Sequence, residues 1–232
     1  MNADLFNMAG FLAGSPLFSG LSPDELSRVA HSSTLTNYVK GDMVFRVGDA
    51  CDAFHIVVRG QVKLFVVSLA GQEKVIELIS PGQSFAEALV FLDKPYILSA
   101  QTLADTVLVN VTKRGVYREI QQDPHIALHM LAGISRRLHG LIQDVEGYAL
   151  QSGLQRLIGY LLRDVEITPT PHQTALTVAL PASKATVASR LSLTPEYFSR
   201  VLHDLEAKKL IRIDRREIRI LDVQRLVAYG TA

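Results

Sequence analysis

Between Ala127 and Tyr148 an apolar or small residue recurs at spacings of 4, 3, 4, 3, 4 and 3: Ala127, Leu131, Ile134, Leu138, Leu141, Val145 and Tyr148. A helix wound at about 3.5 residues per turn lays such a series along one narrow stripe. Asp123-Pro124 supplies its start signal, a capping carboxylate followed by a residue whose missing N–H costs nothing in a first helical turn. The spacing predicts a helix over about 124–148, roughly 37 Å long at about 1.5 Å per residue. Packing on a small neighbouring unit does not account for that length and so narrow a stripe. The seam of Leu131, Ile134, Leu138, Leu141 and Val145 is therefore read as a parallel dimer interface. Packing of the stripe on its own chain's core is the other reading, and it stays open at this point. Gly147 and Ser152-Gly153 weaken the helix near its end and mark a hinge before Leu154, Leu157, Ile158 and Leu161 begin another.

Upstream the period changes. Ser22-Pro23-Asp24-Glu25 carries the capping-box pattern of a short helix. After it, Phe54, Ile56 and Val58, then Val62, Leu64 and Val66, then Val107, Val109 and Val111 alternate at period two. Glycines at 41, 48, 60, 71 and 82 punctuate these runs, which predicts short antiparallel strands over 35–111 in a double-sheet β-roll.

Downstream, 168–180 reads as a loop leading into a short strand. Ser183 can cap a helix running to about Leu191, with Ala185, Val187, Ala188 and Leu191 inward. Ser192-Leu193 makes a tight connection. Thr194 then caps a second helix with Pro195 in its first position, where proline begins a helix rather than breaking it. On that helix Phe198, Val201, Leu202 and Leu205 share one face, while Glu196, Ser199, Arg200 and His203 share the other. Two short helices at a tight turn predict a helix-turn-helix. Alternating runs at 210–213 and 218–221, joined through DRRE, predict a basic wing. In a major groove Arg200 can bond guanine O6 and N7, Glu196 can accept from cytosine N4, and Ser199 can meet base or phosphate. Ser183, Lys184, Arg215 and Arg216 are the phosphate candidates. The plainer account of the outer face is an i,i+4 ion pair between Glu196 and Arg200.

Charge agrees with this division. The net charge of +1 splits into +4 for residues 181–232 and −3 for the rest, which points to an anionic partner for the C-terminal end. No apolar run is long enough to span a bilayer and no secretory leader is present, so a cytoplasmic protein with no membrane partner is expected. The single cysteine, Cys51, reads as a small buried hydrophobe and cannot hold a cluster alone.

Roll, heptad helix and winged helix in this order resemble the Crp/Fnr family of bacterial transcription regulators over nearly the whole chain. GDMVFRVGD (41–49), FHIVVRGQVKLF (54–65) and SPGQSFAEALVF (80–91) are similar to its cyclic-nucleotide-binding-type roll, and TPEYFSR (194–200) to its recognition helix. The resemblance implies an α+β chain with a roll sensor domain over 1–123, a dimerisation helix and hinge over 124–150, and a winged-helix domain over 151–232. It further implies a homodimer on double-stranded DNA in contact with RNA polymerase. Glu196, Ser199 and Arg200 match an E-x-x-S-R pattern of the Fnr branch, which implies palindromes with TTGAT-like half-sites.

In members that bind cyclic AMP, a glutamate matched here by Glu87 binds the ribose, and an arginine just before a Ser-Ala pair binds the phosphate. Here Leu98 precedes Ser99-Ala100, and no arginine stands between Arg59 and Arg114. A buried phosphate would lack its cation, so cyclic AMP is not the expected effector of a pocket containing Glu87, Leu98 and Ser99. The absence of cysteine from residues 1–50 removes an Fnr-type iron–sulfur cluster. FAEALVFLDKPYILSAQTL (85–103) is most similar to the denitrification branch, which implies haem as a nitric oxide sensor, with His139 or His55 as the candidate ligand.

Three rival readings are weaker. A cupin-type metalloenzyme needs clustered histidines on facing strands, and His55 is the sole histidine between 32 and 124. No hydrolase, P-loop or zincin motif appears, so no enzymatic activity is expected. A cyclic-nucleotide-responsive regulator with a divergent pocket and a ligand-binding module without DNA contact remain as alternatives.

Overall fold

The computed structural model describes residues 6–18, 20–92, 94–163 and 176–231, so the loop expected over 168–175 lies outside the described residues. The chain divides into two compact units, Met1–Leu141 and Ile142–Ala232.

The first unit opens with α1 (Met8–Ala13) and α2 (Pro23–His31). The capping box forms as expected, with the Glu25 carboxylate accepting the Ser22 amide at 2.6 Å and Pro23 in the first turn. Strands β1 (Ser33–Tyr38), β2 (Met43–Phe45), β3 (Ala53–Arg59), β4 (Val62–Val67), β5 (Glu73–Ile79) and β6 (Ser84–Phe85) follow. Helix α3 (Glu87–Leu92), β7 (Ser99–Thr102), β8 (Thr106–Thr112) and α4 (Lys113–Gln122) complete the roll. The strands form two antiparallel sheets, β1-β8-β3-β6 and β2-β7-β4-β5. They share one core, where Phe54, Ile56, Val62, Ile79, Phe85 and Leu108 are each 0 % exposed.

The period-two pattern holds only in part. Four consecutive residues of β3, Phe54 to Val57, are buried, while Val58 is half-buried and Val66 is exposed. The run is buried because both faces of β3 are covered, Phe54 against Phe18 and His55 against Phe45 and Phe85, while register shifts between Val57 and Arg59 and between Leu64 and Phe65 exchange the faces only beyond them. The five punctuating glycines all adopt positive φ. Gly60 is doubly constrained: a Cβ there would stand 2.4 Å from Thr106 Oγ1 and 2.5 Å from the Asp105 carbonyl. Between α2 and α4 the buried Glu119 carboxylate meets Arg28 Nε at 2.7 Å.

Helix α5 runs from His125 to Leu150, 26 residues, beginning where Asp123 Oδ1 accepts the His125 amide at 2.9 Å. It passes through Gly147 without a break, so of the two weak points in the sequence only Ser152-Gly153 interrupts the helix. One glycine costs a helix only about 1 kcal/mol, and the turn comes instead at Gln151, where Ser152 caps α6 (Gly153–Leu162) reciprocally with Gln155. The inward stripe of α5 is Ile126 and Met130, each 1 % exposed, followed by Gly133, where Leu17 approaches so closely that an added Cβ would lie 2.9 Å from its Cδ1. The heptad seam starts one residue later, about 100° around the helix. In the single chain Leu131 and Leu138 are 58 % exposed and Val145 65 %, with Ile134 and Leu141 half-buried.

The second unit adds β9 (Leu176–Ala179), α7 (Lys184–Arg190), α8 (Pro195–Ala207), β10 (Ile211–Asp214), β11 (Glu217–Ile220) and α9 (Val223–Thr231). The strands make a small antiparallel sheet in the order β10-β11-β9. Leu157, Val187, Phe198, Leu202, Leu205 and Ile218 form its interior, all 0 % exposed. Among the described residues, no helix is long and apolar enough to cross a membrane.

Candidate nucleic-acid interface

Helices α7 and α8 are built as the sequence predicts, with one exchange. Ser183 Oγ caps α7 by accepting the Thr186 amide at 3.1 Å, and Thr194 Oγ1 caps α8 by accepting the Tyr197 amide at 3.2 Å. Between them Ser192 takes φ 56°, and the Leu193 amide returns to the Ala188 carbonyl at 2.9 Å, closing the turn. The exchange is on α7, where Ala185 is exposed rather than inward and Arg190 is buried. At about 100° per residue Ala185 points nearly opposite Val187, so the inner face is Val187, Ala188 and Leu191.

On α8 the apolar face is buried as expected: Phe198, Val201, Leu202 and Leu205. Glu196 and Arg200 are exposed and Ser199 is half-buried on the outside. Among the described residues Glu196 and Arg200 form no ion pair. The Arg200 guanidinium instead lies 5.1 Å over the Tyr197 ring, a stacking partner that the sequence reading overlooked. Two opposite charges one helical turn apart thus remain open to solvent near the start of a helix.

The wing is a hairpin of β10 and β11 turned by Arg215 and Arg216, both exposed, with Arg215 at φ 53°. Its outer face is less basic than the sequence suggests. Arg212 stands opposite Arg219 and Asp214 opposite Glu217, so arginines and carboxylates share that face and the uncompensated charge concentrates at the tip. Of the other phosphate candidates, Ser183 is exposed with its hydroxyl engaged in the cap, and Lys184 is half-buried at the first position of α7.

Behind the turn lies a polar network with little sequence signature. Arg156 Nε donates to the Leu191 carbonyl at 3.0 Å, and its Nη atoms donate to Gln151 O at 2.9 Å and Ser192 O at 3.4 Å. Tyr148, the last residue of the seam, is half-buried and donates to the Arg190 carbonyl at 2.6 Å. Arg190 in turn donates to the Tyr148 hydroxyl and to Asp144. A buried arginine on the apolar side of α7 was the one hint available in the sequence.

In the roll, Glu87 opens α3 at 3 % exposure, Leu98 packs at the edge of the core, and the Ser99 hydroxyl accepts the Val47 amide at 3.1 Å. Lys63 is a buried cation on β4, but both Glu73 carboxylate oxygens hold its ammonium at 2.6 Å. His55 is buried against Phe45, Phe85 and Tyr96. Its Nδ1 lies 2.7 Å from Asn110 Oδ1 and its Nε2 3.1 Å from the Tyr96 hydroxyl. Burial pushes its pKa down to about 4, against a smaller opposing effect of the Asn110 bond. Both ring nitrogens are engaged and the imidazole is locked in the core, so His55 does not fit the role of an iron ligand. His139 stands exposed on α5 beside Leu138. Cys51 is buried, as expected.

A roll of two four-stranded sheets followed by a winged helix-turn-helix defines a two-part DNA-binding regulator. Family models agree: residues 35–123 match a cyclic nucleotide-binding domain and 155–229 a Crp-like helix-turn-helix domain. The cyclic AMP receptor protein of Thermus thermophilus is 26% identical over 95% of this chain and 100% of its own. DNR of Pseudomonas aeruginosa is 36% identical, covering 95% of this chain and 96% of its own, with a TM-score of 0.52. The fold also matches FixK2 of Bradyrhizobium japonicum at a TM-score of 0.74, with 20% identity over 86% of this chain and 98% of that one. The chain belongs to the Crp/Fnr family of DNA-binding transcription regulators.

Proposed function

We propose that the chain works as a homodimer that reads a palindrome with TTGAT-like half-sites, one recognition helix in each of two major grooves about 34 Å apart. In this reading residues 1–123 sense, 124–150 dimerise and 151–232 bind DNA in reach of RNA polymerase. Arg200 and Glu196 read base edges with Ser199. Ser183, Lys184, Arg215 and Arg216 meet phosphates. The observation that carries the reading is the outer face of α8, where Glu196 and Arg200 have no ion pair with each other although an i,i+4 spacing permits one. Arg200→Ala is expected to cost roughly 1–3 kcal/mol per half-site and to relax discrimination at one base pair, while affinity for random duplex holds. Equal losses on specific and random DNA would remove the assignment of base reading to Arg200.

The effector in this reading is not cyclic AMP. No arginine lies between Arg59 and Arg114, and the buried Lys63 already has its counter-ion in Glu73. The resemblance of residues 85–103 to the denitrification branch is the ground for proposing haem. Bound haem would supply an iron that takes nitric oxide, and His139 is the candidate axial ligand. The test is an absorption spectrum of the haem-reconstituted protein beside its His139→Ala variant. A Soret band unchanged by the substitution rules His139 out, and no stoichiometric uptake rules haem out.

A further inference from the structure

In the second unit a cavity of about 150 Å³ opens behind the turn that leads into α8, walled by the last turns of α5, by α6 and by the end of α7. Its described lining brings three guanidiniums, Arg156, Arg163 and Arg190, against one carboxylate, Asp144. Two of the arginines share that carboxylate: Arg190 donates to Oδ2, and Arg163 to Oδ1 at 3.4 Å. Among the described residues the hydrogen bonds of Arg156 run to the carbonyls of Gln151, Leu191 and Ser192. Neutral carbonyls satisfy a donor without cancelling its charge, so the described lining keeps two positive charges in excess. The buried Arg190 side chain, only 7 % exposed, already holds Asp144, so the excess charge sits on Arg156 and on Arg163, whose contact with Asp144 is long at 3.4 Å.

The shape selects the anion. Planar guanidinium forks suit tetrahedral and carboxylate oxygens. At about 150 Å³ the space is well below the roughly 300–1,000 Å³ of sites that enclose drug-sized ligands. It admits a phosphate-sized group and excludes an entire nucleotide. Gly159, exposed on α6, and Arg163, 57 % exposed, stand at the solvent side of the lining. We propose that this cavity is a site for a phosphate-class oxyanion, free or carried on a larger molecule that stays outside. An anion there competes with Asp144 for Arg190 and Arg163, and it lies beside Arg156, whose bonds hold the turn before the recognition helix. The site does not depend on how α8 reads DNA.

The test uses the full chain without DNA. Sodium phosphate should raise the thermal midpoint saturably, with the effect complete near about 10 mM, and sodium chloride at matched ionic strength should not. Arg163→Gln should weaken the response about tenfold. Gly159→Asp should abolish it, because a Cβ at Gly159 meets nothing within 4 Å and the new carboxylate would face the cavity without disturbing the helix. Arg216→Ala, on the wing, should leave it intact. Adenosine 5′-monophosphate identifies the source. A response equal to that of inorganic phosphate assigns the bare group, and a tenfold tighter one assigns a phosphorylated molecule whose remainder lies outside. The proposal falls if no saturable response exceeds that of chloride, if Arg163→Gln and Gly159→Asp both respond like the parent, or if Arg216→Ala alone removes the effect.

Discussion

Helices α5 and α8 are both amphipathic, yet they are incomplete in opposite ways. On α8 every residue of the apolar face is buried within its own unit, with Phe198, Leu202 and Leu205 at 0 % exposure and Val201 at 6 %, and the charged face is left over. On α5 a separate stripe, Ile126 and Met130, supplies the internal packing, and the leftover face is apolar: Leu131, Leu138 and Val145, flanked by Leu128 and Ile142. Fully burying one leucine is worth about 1.5–3 kcal/mol, so five such residues in water form a surface that a second apolar surface would stabilise. A polar remainder on a short helix suits a polar, charged partner. An apolar remainder at heptad spacing suits another copy of the same helix. Amphipathicity alone therefore says nothing about which face is functional until the internal packing has been subtracted.

Substitutions on the two helices should separate these roles. Phe198→Ala removes the largest side chain of the α8 interior and should lower unfolding free energy by about 3–5 kcal/mol. Urea unfolding followed in the second unit would show the loss, with no dependence on protein concentration. Leu138→Glu should do the reverse. It leaves folding of the single chain nearly unchanged, because the side chain is already in water, and weakens self-association about a hundredfold or more, about 3 kcal/mol. Sedimentation across a concentration series checks it, and an unchanged association constant would leave the exposed seam of α5 without its proposed partner.

The same contrast between inward and outward completion applies to polar groups, and His55 marks the inward extreme. Its pKa is held near 4, below the ordinary value of 6.5, so between those values the unfolded chain binds more protons than the folded one. Stability is whole above about pH 6.5 and falls as pH drops toward 4, by up to about 3 kcal/mol. Comparing unfolding of the parent and His55→Gln across that range isolates the effect, and parallel pH profiles would place the buried neutral imidazole in error.

His55 also shows where the sequence stops being legible. Its position on a strand was readable from period two, but its partners Asn110 and Tyr96 lie 55 and 41 residues away, and no local pattern encodes them. The bulges at Val57/Arg59 and Leu64/Phe65 are equally silent, since their cause is pairing between distant strands. Features whose determinants lie within one helical turn were legible. The Ser22, Ser183 and Thr194 caps and the buried face of α8 all formed as read. Helices α3 and α4 were missed because their apolar residues resemble strand ends in a β-rich stretch. The heptad seam was read correctly as a stripe. Whether it faced inward was unreadable, because that depends on Leu17 meeting Gly133, 116 positions along the chain.

The smallest expected effect bears on the polar remainder itself. If the wing only supplies charge, Arg216→Ala should weaken specific and random duplexes alike. It should lower the slope of log affinity against log salt by about 1 for each arginine that meets a phosphate. Arg212 and Arg219 share the outer face of the hairpin with Asp214 and Glu217, so their substitution should change that slope less than Arg216→Ala does. Filter binding at several salt concentrations gives the ordering. A larger slope change at Arg219 than at Arg216 would move the phosphate contact from the tip of the hairpin to its face, and the charge left open at the end of the wing would need another account.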